Sequence, residues 1–505
     1  MEAPGSSVDL TPIIPAIELT VGILAVILLD LVGRGRYPWL TTGVALLALA
    51  GAAASALLQP VEAGTGETVL GVLQIDRFST VFTVFCCLTG FVTILATMRG
   101  EAFRTPGGEF LVLVLSAVLG MNMLAMSVDL VMLYLSFELV SIPGYVLVAM
   151  RRADAKSNEA GVKYVLFGGV SSAVMVYGLS MVVGLSGGTS LAALSEAIAA
   201  GAVTNQPLWI VACVMMFAGF AFKISAVPFH FWAPDVYAGA PASVAGFLAV
   251  ASKAAGFIAL IRVVGATMTG PVPEAADPLT TFLPDGGVLI AILAIAAVLT
   301  MTVGNLAALR QREIKRLLAW SSIAHAGYLL LLLATWSETS MAALVFYLVA
   351  YLFMNLAAFL IAGIIIRERG TGELSALKGL GRRNVGLAVS LAIIMFSLTG
   401  LPPFFGFAAK LQLFYAVFER GFVWLGVIGL LNGVISLYYY ARVLNCLWLQ
   451  DAEDAEVPTL SLTTFDRAFC ALLVLPILFF GLFWSGAWDW AQGVAADFQL
   501  VLGAR

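Results

Sequence analysis

Charge is scarce in this sequence. Asp, Glu, Lys and Arg make up 11% of its 505 residues, against about a quarter in an ordinary soluble domain, and the formal net charge is -4. A chain that is also 61% hydrophobic has too few polar side chains to cover its apolar surface, which excludes a soluble globular protein. The small negative balance gives no basis for binding nucleic acid. Cysteine is sparse as well. Cys86, Cys87, Cys213, Cys446 and Cys470 show no CxxC spacing and mostly fall in apolar runs, so they read as packing residues, with no iron–sulfur or zinc site. The N-terminal MEAPGSSVDL has no lysine or arginine, so it is not a secretory leader with a basic start, and the first apolar run is expected to stay in the mature protein.

What the sequence has instead is long apolar runs. A membrane-spanning helix needs about 20 mostly apolar residues. On that rule the chain divides into about fourteen spans, at 11–33, 39–59, 77–98, 110–127, 129–150, 160–184, 207–227, 241–264, 287–308, 315–335, 341–366, 385–409, 423–447 and 466–490. The expected fold is an all-α polytopic membrane protein with no soluble domain. LAALSEAIAA at 191–200 reads as a short surface helix between spans. Short cytoplasmic loops are enriched in Lys and Arg. Of the 26 basic residues, nineteen fall on the side of the odd-to-even loops and four (Arg77, Arg262, Arg420 and Arg505) on the other, so both termini are expected to face away from the cytoplasm. The acidic run DAEDAEVP at 451–458 goes against this trend, as a solvated loop or as a docking segment for a partner.

The remaining three basic residues, Lys223, Lys253 and Lys410, lie within or at the edge of spans. An ionisable group at membrane depth costs roughly 2.5 to 3.5 kcal/mol on insertion scales and usually marks an ion or substrate path. Two of the three accompany broken helices. Lys223 precedes KISAVPFHFWAP in the seventh span, and Lys410 follows SLTGLPPFFGFAA in the twelfth. Proline removes a backbone donor and clashes with the preceding turn, so each site is expected to open its helix. Breaks at corresponding places in two halves point to a transporter's site. The halves are expected at 110–264 and 287–447, five spans each, with 1–109 as a three-helix N-terminal segment and 448–505 as the C-terminal helix. Five is odd, so the second repeat is expected to lie inverted relative to the first.

Glu138, central in the fifth span, is the natural counter-charge for Lys223. A lysine normally titrates near 10.4 and exchanges protons near neutrality only when its surroundings hold it about three pH units lower. Desolvation favours that state and a close carboxylate opposes it, so opening and closing a Glu138–Lys223 contact would switch the lysine between releasing and holding its proton. A static ion pair that fixes helix packing is the competing explanation. The only two histidines, His230 after the first break and His325 mid-span, extend the candidate path. Each also has a plain structural explanation, as a core histidine satisfied by a hydroxyl such as Ser321 or Ser322, or as a residue at the membrane edge. Lys163 is a weaker candidate that also reads as an interfacial lysine reaching outward. Glu18 and Asp30 in the first span read as helix-end contacts.

LSFELVSIPGY, SNEAGVKYVLFGGVSS, FKISAVPFHFWAPDVYAGAP, ASKAAGF, KRLLAWSSIAHAGYL and LTGLPPFFGFAAKLQLF together resemble the antiporter-like subunit N of bacterial respiratory complex I, the NADH:quinone oxidoreductase. The family includes the mitochondrial subunit 2 and its plastid and cyanobacterial counterparts. The likeness covers nearly the whole chain. It implies a fourteen-helix proton channel with two inverted five-helix repeats, in which Glu138, Lys223, Lys253 and Lys410 form a polar axis at the membrane midplane and His325 belongs to the connecting path. It also implies neighbours: subunit M, the small subunits K, J and A, and a peripheral arm that holds FMN and the iron–sulfur clusters. Electron transfer and quinone reduction would then lie outside this chain, which itself needs no cofactor or metal.

Within the wider family, FLAVASKAAG carries Lys253 where subunits L and M and the Mrp antiporters tend to have a histidine-rich segment, which favours subunit N. A subunit M would carry a glutamate near Lys410, and a subunit L a long lateral helix beyond the last spans. No acidic residue in the tenth span matches Glu138 in the fifth. An Mrp-type cation/proton antiporter and a relative with ferredoxin or another electron donor remain open. A haem-bearing quinol enzyme with His230 and His325 as axial ligands fits poorly, because His230 sits beside a break. The Ala- and Gly-rich composition suits a bacterial plasma membrane, with a thylakoid location also open.

Overall fold

The structure is a computed structural model and describes residues 10–59, 67–98, 107–267, 287–450 and 460–503. The acidic run at 451–458 lies outside them. Within them the chain is almost wholly helical. A turn of 3₁₀ helix at Thr11–Ile13 leads into α1 (Ile14–Gly33), followed by α2 (Pro38–Leu58), α3 (Arg77–Thr97), α4 (Gly108–Met126), α5 (Leu130–Val148) and α6 (Ala155–Ser186). The expected surface helix is α7 (Leu191–Ala199). Then come α8 (Gln206–Ile224), the short α9 (Trp232–Gly239), and α10 (Ala242–Phe247), which passes through a π turn at Leu248–Ser252 into α11 (Lys253–Thr267). The second half has α12 (Gly287–Ala308), α13 (Ile314–Ala334), α14 (Glu338–Arg369), the single turn α15 (Leu380–Arg383), α16 (Val385–Thr399), α17 (Phe405–Glu419), α18 (Val423–Trp448), α19 (Thr464–Leu482) and α20 (Ser485–Gly503).

Thirteen of these helical segments are long and apolar enough to cross a membrane, counting α10 to α11 as one. The predicted span at 385–409 is instead two shorter pieces, α16 and α17, because Gly400 turns the chain with φ +91° and prolines 402 and 403 prevent the helix from resuming before Phe405. The first predicted break is present too. α8 stops at Ile224, Ser225 takes a left-handed conformation with φ 59°, and α9 begins only at Trp232. Backbone groups released there find partners. The Trp232 indole donates to the Phe222 carbonyl at 3.0 Å, and Val227 N–H donates to Thr300 Oγ1 at 3.0 Å.

One expectation needs correcting, and two features were not foreseen. The last span does not run from 466 to 490 as one helix; it ends at Leu482, and α20 packs separately against α14 and α3. The loop before α3 contains a β-hairpin, Glu67–Val69 against Leu73–Ile75, whose turn places Leu70 and Gly71 at positive φ as a tight hairpin demands. Arg262, counted with the basic residues of the non-cytoplasmic side, is fully buried in α11.

Burial grades from the centre outward. The segment Ala242–Thr267 is 100% buried across its most apolar window and Ile314–Ala334 is 94% buried, against 33% for Thr11–Gly33 and for Thr464–Leu482. α11 and α13, with α14 beside them, therefore form the centre, and the outermost helices present Leu, Val and Phe side chains to lipid.

Candidate functional site

The central helices carry a row of polar side chains. At one end lies Glu138 of α5, whose carboxylate accepts a short hydrogen bond from Ser172 of α6; the same hydroxyl lies 3.1 Å from the Tyr134 hydroxyl. One turn along α5, Ser141 accepts from Lys223 Nζ of α8 at 2.9 Å, and the Phe137 ring sits 5.0 Å from the same ammonium. Glu138 of α5 and Lys223 of α8 thus lie close to each other, each held by a serine, with no direct ion pair between them among the described residues.

α8 and α11 cross at Gly256. A Cβ there would lie 3.0 Å from Lys223 Cγ and 2.8 Å from Ile224 Cγ2, so only a glycine allows the two helices this approach. One turn before the crossing is Lys253, which donates to both the carbonyl (2.7 Å) and the hydroxyl (2.5 Å) of Ser322 on α13. The Tyr351 hydroxyl of α14 donates to the same Ser322 oxygen at 2.8 Å.

α13 then carries the row across the middle. Ser322, His325 and Tyr328 are spaced three residues apart and share one face. His325 Nδ1 lies 2.7 Å from the Tyr347 hydroxyl, and Nε2 lies 3.4 Å from the Tyr440 hydroxyl, which in turn makes a short hydrogen bond with Ser321. Both ring nitrogens therefore face hydroxyls, an arrangement suited to a neutral imidazole that accepts at one nitrogen and donates at the other, and unsuited to axial ligation.

At the far end Lys410 of α17 lies 5.0 Å from the Tyr328 ring and donates to the carbonyls of Leu398 (3.1 Å) and Thr399 (2.7 Å). Those carbonyls are the ones that the break after α16 leaves without helical partners, at the negative end of the α16 dipole. The break thus makes the site for the lysine. Lys223, Lys253, His325 and Lys410 are each at most 6% exposed, and among the described residues no carboxylate lies within ion-pair distance of any of the three lysines.

His230 and Lys163 lie elsewhere. The His230 ring packs 4.3 Å from Phe231 and 5.6 Å from Trp320, and burial pushes its imidazole below the ordinary histidine range, partly offset by the Pro228 carbonyl. Lys163 is ion-paired at 2.6 Å to both Glu159 and Asp235, and Asp235 also takes Arg316 at 2.6 Å. This network of α6, α9 and α13 is partly exposed at the end of the first break. Glu18 holds Ser55 of α2 at 2.8 Å, as a helix–helix contact.

Sequence reasoning missed the hydroxyl partners Ser141, Ser172, Tyr347, Tyr351 and Tyr440, and it offered Ser321 or Ser322 to His325, whereas Ser322 holds Lys253 and His325 meets Tyr347 and Tyr440. A signal exists for some of them. Ser141 follows Glu138 by three residues and Ser322 precedes His325 by three, so each is one turn from a candidate on the same face. Nothing local marks the tyrosines of α14 and α18, which reach the row only through tertiary packing.

A helical bundle that buries lysines along two broken helices defines an antiporter-like membrane subunit, and relatives give the same class. Residues 127–436 match the family described as NADH:quinone oxidoreductase/Mrp antiporter, TM. The chain is 40% identical to NADH-quinone oxidoreductase subunit N of Anaeromyxobacter sp. (strain Fw109-5), over 97% of this chain and 96% of that one. It is 41% identical to NADH-quinone oxidoreductase subunit N 2 of Sorangium cellulosum (strain So ce56), over 94% and 95%. A chain in the structure of respiratory complex I from Thermus thermophilus with bound aureothin superposes with a TM-score of 0.77 at 33% identity, covering 94% of this chain and 99% of that one. The Mrp complex from Dietzia sp. DQ12-45-1b shares the fold, with a TM-score of 0.77 at 18% identity, over 97% and 99%. The chain belongs to the NADH-quinone oxidoreductase subunit N family.

Proposed function

We propose that this chain is a proton-translocating membrane subunit of an NADH:quinone oxidoreductase, and that the row from Glu138 to Lys410 carries the protons. One observation bears most of the weight: three buried lysines whose ammonium groups are held by serine oxygens and backbone carbonyls and by no carboxylate. A lysine fixed by an ion pair holds packing in place, whereas one resting on hydroxyls at membrane depth is free to exchange a proton when its electrostatic surroundings change.

Glu138 supplies that change. Movement of the carboxylate between Ser172 and Lys223 alters how tightly Lys223 holds its proton. The proton then passes toward Lys253, His325 and Lys410 by way of the hydroxyls of Ser322 and its neighbours. The second half lacks a carboxylate equivalent to Glu138 on α13, so its release step relies on the Leu398 and Thr399 carbonyls and on charge arriving from Lys253. His230 and Lys163 belong to the approach from one membrane face.

In this reading the electron-transfer groups, FMN, iron–sulfur clusters and quinone, reside in other subunits, among them a peripheral arm, and this chain contributes no redox site. Subunit M and the small subunits K, J and A are the expected membrane neighbours. Both termini face away from the cytoplasm of a bacterial plasma membrane, and 110–264 and 287–447 are the two inverted repeats. In membranes carrying Lys223→Ala, assembly is expected to survive while NADH-driven quinone reduction and acidification of inverted vesicles fall together. Unchanged turnover and acidification would refute the reading. Sodium-dependent proton exchange without NADH would instead indicate cation/proton antiport.

A further inference from the structure

The end of the bundle where α3 begins and α4 and α11 finish is closed around Arg262. This guanidinium is 0% exposed. It bonds Asp76 at two points (2.6 and 2.9 Å) and the Ala125 carbonyl through Nη2 (2.8 Å) and Nε (3.1 Å). The Phe78 and Phe498 rings flank it at 5.3 and 5.6 Å. Asp76 also caps α3 by accepting from Ser79 N–H at 2.7 Å, and the adjacent Arg77 pairs with Asp497 of α20 at 2.9 Å. The β-hairpin bridges to Ser127 just beyond α4, and α7 packs against α11.

Arg262 stands nine residues beyond Lys253 on the same helix, roughly 13 Å along its axis. Among the described residues, the other end of the first half has no such buried arginine plug. Around the first break and the start of α13, the buried atoms His230 Nδ1, Trp320 Nε1 and Arg316 Nε have no hydrogen-bond partner among the described residues, and such positions suit bound water. The Arg262 end also leaves Gln74 Oε1, Thr80 Oγ1 and Asn122 Nδ2 without a partner among the described residues, but there the guanidinium itself is enclosed by a carboxylate, a carbonyl and two rings.

We propose that the Arg262–Asp76 pair is a fixed cationic seal that closes the Lys223–Lys253 half of the row toward the non-cytoplasmic side. This rests on the proton-translocating reading and its sidedness. The choice of arginine follows from chemistry. A lysine exchanges protons and would extend the row, but a guanidinium stays charged at any physiological pH and hands nothing on. Its positive charge opposes a hydrated proton while its plane fills the gap between two phenyl rings. Asp76 offsets the cost of burying that charge. A proton on Lys253 thus has one way forward, across α13 to the second half.

The test uses inverted vesicles carrying the assembled complex, without NADH, in which the decay of an imposed pH step is followed with a pH-sensitive dye. Arg262→Ala is expected to speed decay several-fold. Decay at the wild-type rate in an assembled complex would overturn the seal. If Arg262→Ala blocks assembly, Arg262→Lys is read in the same way, since it keeps the charge but exchanges protons. Adding Lys253→Ala to the leaking variant separates the two readings. A leak that disappears shows that the seal closes the lysine row; a leak that persists shows that the opened path bypasses Lys253 and overturns the proposal.

Discussion

Each charged member of the row depends on an uncharged neighbour. Lys253 rests on Ser322, and Ser322 also takes the Tyr351 hydroxyl. Ser322→Ala removes two hydrogen bonds but leaves the carbonyl, and at about 1 kcal/mol per bond the complex is expected to assemble while coupled turnover drops. Turnover and acidification equal to wild type would remove Ser322 from the path. His230 is a different case. Its depressed folded value means that the unfolded chain binds more protons, so stability falls as pH drops through the unfolded value near 6.5. Thermal midpoints of the purified complex from pH 8 to pH 5.5 are expected to fall more steeply for wild type than for His230→Asn; parallel curves would show that His230 is not an acid-sensitive group. At this scale Glu138, Lys223, Lys253 and Lys410 were legible because a charge in an apolar run has few explanations. Tyr440 was not, and Ser322 was read against His325 instead of Lys253, because hydroxyls are ordinary in helices and matter here only through what packs against them.

At the scale of elements, the two breaks place the lysines. Gly400 illustrates how tightly. Its φ of +91° disfavours any side chain, and a Cβ would lie 2.6 Å from Lys410 Cδ. Gly400→Ala is expected to cost about 1 to 3 kcal/mol and to displace Lys410 from the α16 carbonyls, with a loss of proton pumping. Gly386→Ala, in the same helix with nothing within 4 Å of its Cβ, serves as the control and is expected to pump normally. Equal pumping by both variants would argue against the Lys410 site. Proline made both breaks readable in the sequence. The division between α19 and α20 was harder to see, because the apolar run continues through Phe483 and Trp484 and the helix ends there for tertiary reasons.

For the whole molecule, the distribution of basic residues proposes a sidedness that chemistry can check. The Arg152 side chain is 86% exposed at the end of α5, and Leu70 is 76% exposed at the hairpin turn. The five native cysteines are all buried, which gives a quiet background for labelling. With a membrane-impermeant maleimide, Arg152→Cys is expected to react in inverted vesicles and Leu70→Cys only in right-side-out ones; the reverse pattern would invert the topology. Thirteen spans were legible, since each has a run of apolar residues of the right length. The identity of the central helices was not. A helix buried by protein and a helix buried by lipid are written in the same residues, so α11 and α13 look no more central in sequence than α1.

One consequence follows from α13 alone. Ser322 and Tyr328 meet Lys253 and Lys410 from a single rigid rod, and His325 lies between them. A slide or twist of that rod re-sets its contacts with both lysines in the same instant. In the proposed pump the two halves are thus geared to a common shaft and keep time with each other, however far apart their openings lie.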